Sequence, residues 1–89
     1  MGRTVPSYRQ ALEAEIARWE GFKKALRGKE LDAFDRMMNA CRAYASAGGM
    51  ATRPVIAEAM FMCILLNMQK ELMEIRERLE RLEKQLQKA

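Results

Sequence analysis

The feature that most constrains this chain is a seven-residue hydrophobic repeat that runs unbroken through its last third. From Phe61 onward, apolar residues recur at alternating spacings of four and three. Leucine fills every a position of this heptad, and mixed apolar residues fill the d positions. Its principal members, here called the heptad stripe, are Phe61, Leu65, Met68, Leu72, Ile75, Leu79, Leu82 and Leu86. The pattern predicts a long helix whose residues 61–89 form a coiled coil.

The rest of the chain predicts an all-α fold and a single domain spanning residues 1–89. Apolar and polar residues show no sustained alternation and β-branched residues are scarce, so strands are not expected. Apolar residues at helical spacing predict three helices, of which the first two form a helical hairpin packed on the third. Their expected ranges are about 7–27, 29–47 and 54–88.

Capping residues and glycines set the expected helix boundaries. Ser7 begins a Ser-Tyr-Arg-Gln capping box, in which the serine hydroxyl accepts from an amide three residues on and the glutamine reaches back. Gly28 is expected to end the first helix and Gly48-Gly49 the second, because glycine accepts the left-handed conformation of helix ends. Pro54 suits the first turn of the third helix, where its missing amide proton would be unpaired anyway.

The third helix is expected to be much longer than its neighbours. A helix over residues 54–88 spans about 50 Å, whereas the first two reach only about 30 Å each. It must therefore extend past the hairpin, and the apolar residues of the extension need a partner. We expect a homo-oligomer, with a dimer favoured and another helical protein as a further candidate partner. The alternative is that the stripe packs on the first two helices of the same chain, because bundles use similar spacings.

Charged residues beside the stripe bear on how two copies would pair. Glu71 and Arg78 are g positions, and Arg76 and Glu83 are e positions. A parallel pair sets Glu71 against Arg76 of the mate, and Arg78 against Glu83. Antiparallel pairing centred near Arg76 and Arg78 opposes like charges, but other antiparallel registers avoid this, so both directions stay open. Pairs with i,i+4 spacing that should support the helix itself are Glu74–Arg78, Glu77–Arg81 and Glu80–Lys84.

The first half of the third helix is apolar almost all round. Such a segment is expected to be buried on most sides. We expect one face to pack on the first two helices, and its members are Val55, Ala59, Met62 and Leu66. The opposite face continues into the heptad stripe and meets the mate.

A basic excess in the first part of the chain raises a second class of function. The net charge is +4, and residues 1–55 hold 10 Lys/Arg and six Asp/Glu, whereas residues 56–89 hold six of each. A basic cluster consists of Lys23, Lys24, Arg27 and Lys29. Glu20 and Glu30 interrupt it and no aromatic ladder is interleaved, so a solvated face is favoured over weak, sequence-neutral nucleic-acid binding.

Signals for catalysis and metal binding are missing from the sequence. It has no histidine, no phosphate-binding glycine loop and no nucleophile elbow. Cys41 and Cys63 lack the paired spacing of a structural zinc site and fall on apolar helical positions, which predicts buried free thiols. Glu58 is read as a first-turn glutamate stabilised by the helix dipole. We therefore expect no enzyme activity, no cofactor and no metal.

The sequence also predicts a soluble cytoplasmic protein. Its most apolar run, residues 59–66, is far shorter than the ~20 residues that a bilayer requires. The opening residues lack the apolar core of a secretory leader.

The opening Met1-Gly2-Arg3-Thr4-Val5-Pro6-Ser7-Tyr8-Arg9 resembles the start of a group of small, uncharacterised archaeal helical proteins. The Phe34-Asp35 stretch and the Arg53-Pro54 entry to the last helix are similar too. This resemblance implies a cytoplasmic archaeal protein with a domain of unknown function, and it transfers no catalytic residue.

Overall fold

The computed structural model describes residues 7–88, and within that range every regular element is an α-helix. In chain order the helices are α1 Tyr8–Arg18, α2 Glu20–Lys24, α3 Lys29–Ala43, α4 Ala45–Met50 and α5 Ile56–Lys88. The all-α class is confirmed. Each of the first two predicted helices is divided in two, so the described residues form five helices rather than three. The distinctive opening, residues 1–6, and the expected coiled-coil end at residue 89 lie outside the described residues.

The start of α1 confirms the capping box, but its end comes earlier than expected. The Gln10 amide donates to Ser7 Oγ at 3.2 Å, and the Ser7 amide donates to Gln10 Oε1 at 2.9 Å. The expected continuous helix over 7–27 is wrong because the chain leaves helical geometry at Trp19, with φ −91° and ψ 8°. The Trp19 amide donates to Ile16 O at 3.0 Å. This hydrogen bond to the third residue back tightens the last turn of α1. No glycine or proline marks this break in the sequence.

Gly28 acts as a helix breaker in a different role from the one predicted. Helix α2 already ends at Lys24, and Gly28 is the N-cap of α3. Its φ of +57° is a left-handed value that favours glycine.

The expected helix end at Gly48-Gly49 is wrong, because α4 runs through both glycines to Met50. A Cβ on Gly48 would lie 2.5 Å from the Tyr8 hydroxyl oxygen, and one on Gly49 would lie 3.3 Å from the Tyr8 Cβ. These glycines therefore make room for the Tyr8 side chain rather than ending a helix. The Tyr8 hydroxyl is buried there and has no hydrogen-bond partner among residues 7–88.

Helices α1, α3 and α4 and the first third of α5 share one small core. Its buried members are Leu12, Phe34, Met38, Cys41, Ala45, Met60 and Ile64. Residues 51–55 connect α4 to α5, so Pro54 precedes the helix rather than lying in its first turn. We call α1–α4 together with residues 56–67 of α5 the helical body, and residues 68–88 the overhang.

The face that α5 turns toward the body differs from the one predicted. Its buried residues are Ala59, Met60, Cys63 and Ile64. Of the expected set, only Ala59 is buried, whereas Val55, Met62 and Leu66 are 53%, 67% and 49% exposed. The expected packing of Leu66 inside the chain is therefore wrong. The reason is that Cys63 and Ile64 turn toward α3 and α4, and the Cys63 thiol lies 3.7 Å from Tyr44 O.

Candidate self-association surface

The heptad stripe is a long apolar feature that the other described residues, 7–88, leave uncovered. All eight of its side chains are exposed, from 51% at Phe61 and Met68 to 69% at Leu86. The stripe therefore does not fold back on the other helices of its own chain, which was the alternative to self-association. Isolated exposed apolar residues are ordinary on protein surfaces, but a continuous row of this length marks an interaction surface.

In the described part of the chain, no other helix covers the overhang. Helix α5 contains 33 residues, which corresponds to about 50 Å of helix. Every residue from 68 to 88 is exposed. The predicted extension beyond the hairpin is confirmed as a structural feature of the chain, and the apolar side chains that it carries face solvent.

The overall dimensions agree with a chain that has not covered its apolar surface. The radius of gyration is 17.7 Å, whereas a compact domain of 89 residues has about 12 Å. The accessible surface is 7596 Å², compared with about 5,400 Å² for a typical folded monomer of 10.3 kDa. This excess is larger than the roughly 800 Å² that each partner buries in a standard protein–protein interface.

Charged residues along the overhang do not support it through ion pairs of their own. Ion pairs shorter than 4.0 Å between residues 7 and 88 are Glu15–Arg18, Lys23–Asp35, Glu13–Arg42 and Arg53–Glu58. All of these lie outside the overhang, so the predicted i,i+4 ion pairs are not formed. One i,i+4 contact enters it, because Asn67 Nδ2 donates to Glu71 Oε2 at 2.7 Å. The side chains of Arg76, Arg78 and Glu83 are thus available to a partner.

An apolar groove lies beside the stripe, between α5 and the α1–α3 segment. It encloses about 340 Å³, and its principal walls are Trp19, Phe22, Phe34, Met37, Met60 and Phe61. Phe22 contacts Trp19 edge to face at 5.5 Å between ring centroids, yet it is 53% exposed. Phe61 belongs to both the groove and the stripe. The two apolar features are therefore continuous.

A second set of exposed apolar side chains lies on the flank of α5 away from the groove. It consists of Met62, Leu66 and Met73, which are 67%, 49% and 55% exposed. Met62 is an e position, and Leu66 and Met73 are b positions, which are normally polar in a two-stranded coiled coil. Sequence reasoning assigned Met62 and Leu66 to the core and so missed this surface. Their heptad positions were the signal that could have identified it.

The predicted basic cluster is spread over the turn between α2 and α3. Lys23 and Lys24 lie in α2, Arg27 lies in the connection, and Lys29 begins α3. Lys23 Nζ forms an ion pair with Asp35 Oδ1 at 3.1 Å, and the Arg27 amide lies 3.4 Å from Glu30 Oε1. The cluster is therefore interleaved with carboxylates, as expected for a solvated face.

The predicted burial of the two cysteines is confirmed, and both are free. Burial raises the pKa of Cys41 from its usual 9.0 to about 11, and burial also raises the pKa of Cys63. The Cys41 thiol lies 3.6 Å from Met60 O, to which it can donate. Both thiols therefore stay protonated at neutral pH, which is the state of structural rather than nucleophilic cysteines.

Other polar features give little basis for chemistry. Glu58 is exposed in the first turn of α5, where Arg53 Nε donates to its Oε1 at 2.7 Å. Residues 7–88 bring together no group of three or more His, Cys, Asp or Glu side chains suited to a metal ion. In the same part of the chain, α5 is long but not apolar enough to cross a membrane, and the other helices are too short.

Comparison with known proteins gives one match. Residues 1–89 match a family described as a domain of unknown function, DUF8156. No curated protein and no solved structure shows a significant match.

Proposed function

The chain belongs to the DUF8156 family of domains of unknown function, and we propose that it is a non-catalytic interaction protein that forms a homodimer through its heptad stripe. One observation carries this proposal. Eight apolar side chains at strict heptad spacing are each at least half exposed on a single helix. Such spacing places all of them on one face, where a second helix can insert its own side chains between them.

The energetics favour association. Full burial of a large apolar side chain is worth about 1.5–3 kcal/mol relative to exposure, and these side chains still have about half of that to gain. Two stripes together, with sixteen such side chains, can therefore supply roughly 12–24 kcal/mol of gross stabilisation. The loss of translational and rotational freedom on association opposes this by about 4–15 kcal/mol. The balance permits a stable dimer, and it weakens if one charge enters the stripe.

A helix from another protein could also pack on the heptad stripe. The basic cluster raised nucleic-acid binding as a second candidate function. A second copy is favoured because the stripe is self-complementary, with leucine at every a position and paired charges beside it. Nucleic-acid binding gains no support from Lys23, which is already paired with Asp35. The archaeal and cytoplasmic assignments stay predictions.

Sedimentation of the purified chain tests the proposal. We expect the unmodified chain to sediment as a dimer at micromolar concentrations and the Leu79→Glu variant to sediment as a monomer, because a carboxylate in the buried stripe is strongly unfavourable. Met73→Glu is the matched control, since Met73 lies on the same helix at a similar exposure but off the stripe. We expect it to remain dimeric.

A monomeric unmodified chain at its highest soluble concentration would overturn self-association. If a helix from another protein then bound the monomeric chain along the stripe, that protein rather than a second copy would be the partner. Complex formation with short oligonucleotides at low salt, with a steep loss at higher salt, would instead support the second function.

A further inference from the structure

We propose that the two copies pair in parallel and in register, and that the apolar groove of each receives Met62 and Leu66 of the other. This inference rests on the proposed self-association and adds its direction and a second contact surface. The groove and these two side chains are exposed apolar features of the helical body that the heptad stripe alone leaves without an occupant.

The groove lies on one side of α5, beside the stripe. The buried residues Ala59, Met60, Cys63 and Ile64 are b, c, f and g positions of the heptad that defines the stripe. The body therefore packs on the side of α5 away from the stripe, and the groove opens beside Phe61 and Ile64, at the boundary between the g side and the stripe. Met62 and Leu66 lie across the stripe, on the e and b side.

Parallel coiled coils pair their flanking positions in a fixed way. In a parallel pair, the g side of one helix lies against the e side of its mate. The groove flanks the g side, so the mate presents its e and b side to it. The residues it presents at that level are Met62 and, one turn further on, Leu66. Antiparallel pairs instead bring e against e and g against g.

The groove and Met62 also lie at the same height along the helix. The groove's wall on α5 is formed by Met60, Phe61 and Ile64. An in-register mate places its Met62 beside this wall, since residues of equal number lie at equal height. Phe22 and Met37, the partly exposed groove residues contributed by α2 and α3, are 53% and 37% exposed in the single chain. Docking of Met62 and Leu66 therefore covers apolar surface on these two side chains of one copy and on the groove of the other.

Charge complementarity agrees with the parallel direction. Glu71 of one copy then faces Arg76 of the other, and Arg78 faces Glu83, so symmetry gives each attraction twice. An antiparallel register that sets Leu72 against Ile75 also covers the stripe and brings Glu71 near Arg78. That register, however, places Met62 against Glu83 and leaves Leu66 uncovered. The exposed Met62 and Leu66 therefore decide between the two directions.

Engineered disulfides test the direction. Leu65 and Leu82 lie on the stripe, and the native thiols are buried. In a parallel pair, Leu82→Cys meets its own counterpart, and so does Leu65→Cys. In the antiparallel register, each meets the other. We expect mild oxidation of each variant alone to give a disulfide-linked dimer, and oxidation of an equimolar mixture after subunit exchange to give few mixed dimers. Predominant mixed dimers would overturn the parallel arrangement but leave self-association intact.

Matched charge substitutions test the groove. Met62→Glu places a carboxylate into the mate's groove, and we expect the dimer dissociation constant to rise roughly 10- to 100-fold, the range of a buried interface residue. Met73→Glu is the control, because Met73 lies beyond the body, and we expect a change below about threefold. Met62 is 67% exposed in the single chain, so its substitution should leave the monomer's circular dichroism unchanged.

Adding Met37→Lys to Met62→Glu sets an opposite charge in the groove wall and should recover much of the lost affinity. Equal effects of Met62→Glu and Met73→Glu, or no recovery in the double variant, would overturn docking in the groove. Either result is distinguishable from a failure of the proposed function, which would appear as a monomeric unmodified chain.

Discussion

The two parts of α5 show how one continuous helix can depend on two different sources of stability. In residues 56–67, Met60 and Ile64 are 1% and 6% exposed and pack into the body. In the overhang, residues 68–88, every residue is exposed although the heptad pattern continues unchanged. The packed part is stabilised by contacts with other helices of its own chain, whereas within residues 7–88 every residue of the overhang is exposed to solvent.

The heptad pattern marks a face of α5 that is different from the face buried within the chain. In the packed part, the stripe and the buried face are different faces of the helix, because Phe61 and Leu65 are exposed while Met60 and Ile64 are buried. Most helix stability in proteins comes from the packing of an apolar face rather than from intrinsic helix propensity. The helical state of the overhang therefore depends on a second copy in this account, whereas the body can fold without one.

The largest expected effect comes from a charge in the body. Met60→Asp buries a carboxylate at a site that is 1% exposed, which costs several kcal/mol and should remove cooperative melting. Met73→Asp makes the same change in the overhang at a residue that is 55% exposed and off the stripe, and it should melt almost as the unmodified chain does. Thermal circular dichroism compares them. Equal melting would show that the body is not the cooperative unit.

The next effect concerns the thiols of the body. With the pKa of Cys41 near 11 rather than 9.0, the thiolate fraction at pH 8 is about a hundredfold lower in the folded chain, before steric protection is counted. We expect slow labelling of both cysteines in native buffer and rapid labelling in denaturant, and Leu79→Glu should not change this. Fast native labelling would contradict a body that folds independently of the overhang.

The raised pKa of Cys41 also makes the free energy of unfolding depend on pH. The unfolded thiol loses its proton near pH 9 and the folded Cys41 only near 11, so the folded state holds more protons between these values. The free energy of unfolding should therefore fall as the pH rises from about 9 to 11. Denaturant titrations of Cys41→Ala and the unmodified chain measure it, since the variant lacks this contribution.

Two glycines provide a smaller test of the packing of α1 on α4. Gly48→Ala sets a methyl group 2.5 Å from the Tyr8 hydroxyl oxygen, and overpacking of this kind costs about 1–3 kcal/mol. Gly21→Ala meets no atom within 4 Å and should stabilise the body by up to about 1 kcal/mol. Urea unfolding distinguishes the two. A harmless Gly48→Ala would mean that Tyr8 is free to move away.

The smallest effect is expected from the outer charges of the overhang. Glu77 is exposed and makes no ion pair shorter than 4.0 Å within residues 7–88. Glu77→Gln should change dimer stability by no more than a few tenths of a kcal/mol, the size of one i,i+4 pair. Sedimentation equilibrium measures the difference. A change above about 1 kcal/mol would show that polar pairing, rather than the stripe, supports the overhang.

Sequence patterns predicted the features that depend on local chemistry or on long periodicity. The Ser7 capping box, the positive φ at Gly28, the buried cysteines and the length of α5 past the hairpin all follow from residue type and spacing. The face of α5 that packs into the core could not be predicted from residue type and spacing. Its first half is apolar on nearly every side, so periodicity cannot tell whether Leu66 or Ile64 packs inside.

The remaining errors share a cause, which is that tertiary contacts override local signals. Gly48 is a residue type that typically ends helices, but here its lack of a side chain makes room for the Tyr8 ring of another helix. The break at Trp19 has no local marker at all. On the candidate surface, the heptad stripe could be predicted in full, whereas the groove beside Phe61 requires residues from four parts of the chain to come together.

Hydrogen exchange of the overhang tests the central claim most directly. Peptides from residues 68–88 and from the α3 core should be compared by mass spectrometry in the unmodified chain and in Leu79→Glu at equal concentration. We expect strong protection of the overhang in the unmodified dimer, its loss in Leu79→Glu, and little change in the core peptides. Equal protection of the overhang in both proteins would contradict the account, because the heptad stripe would then not be the surface that joins two copies.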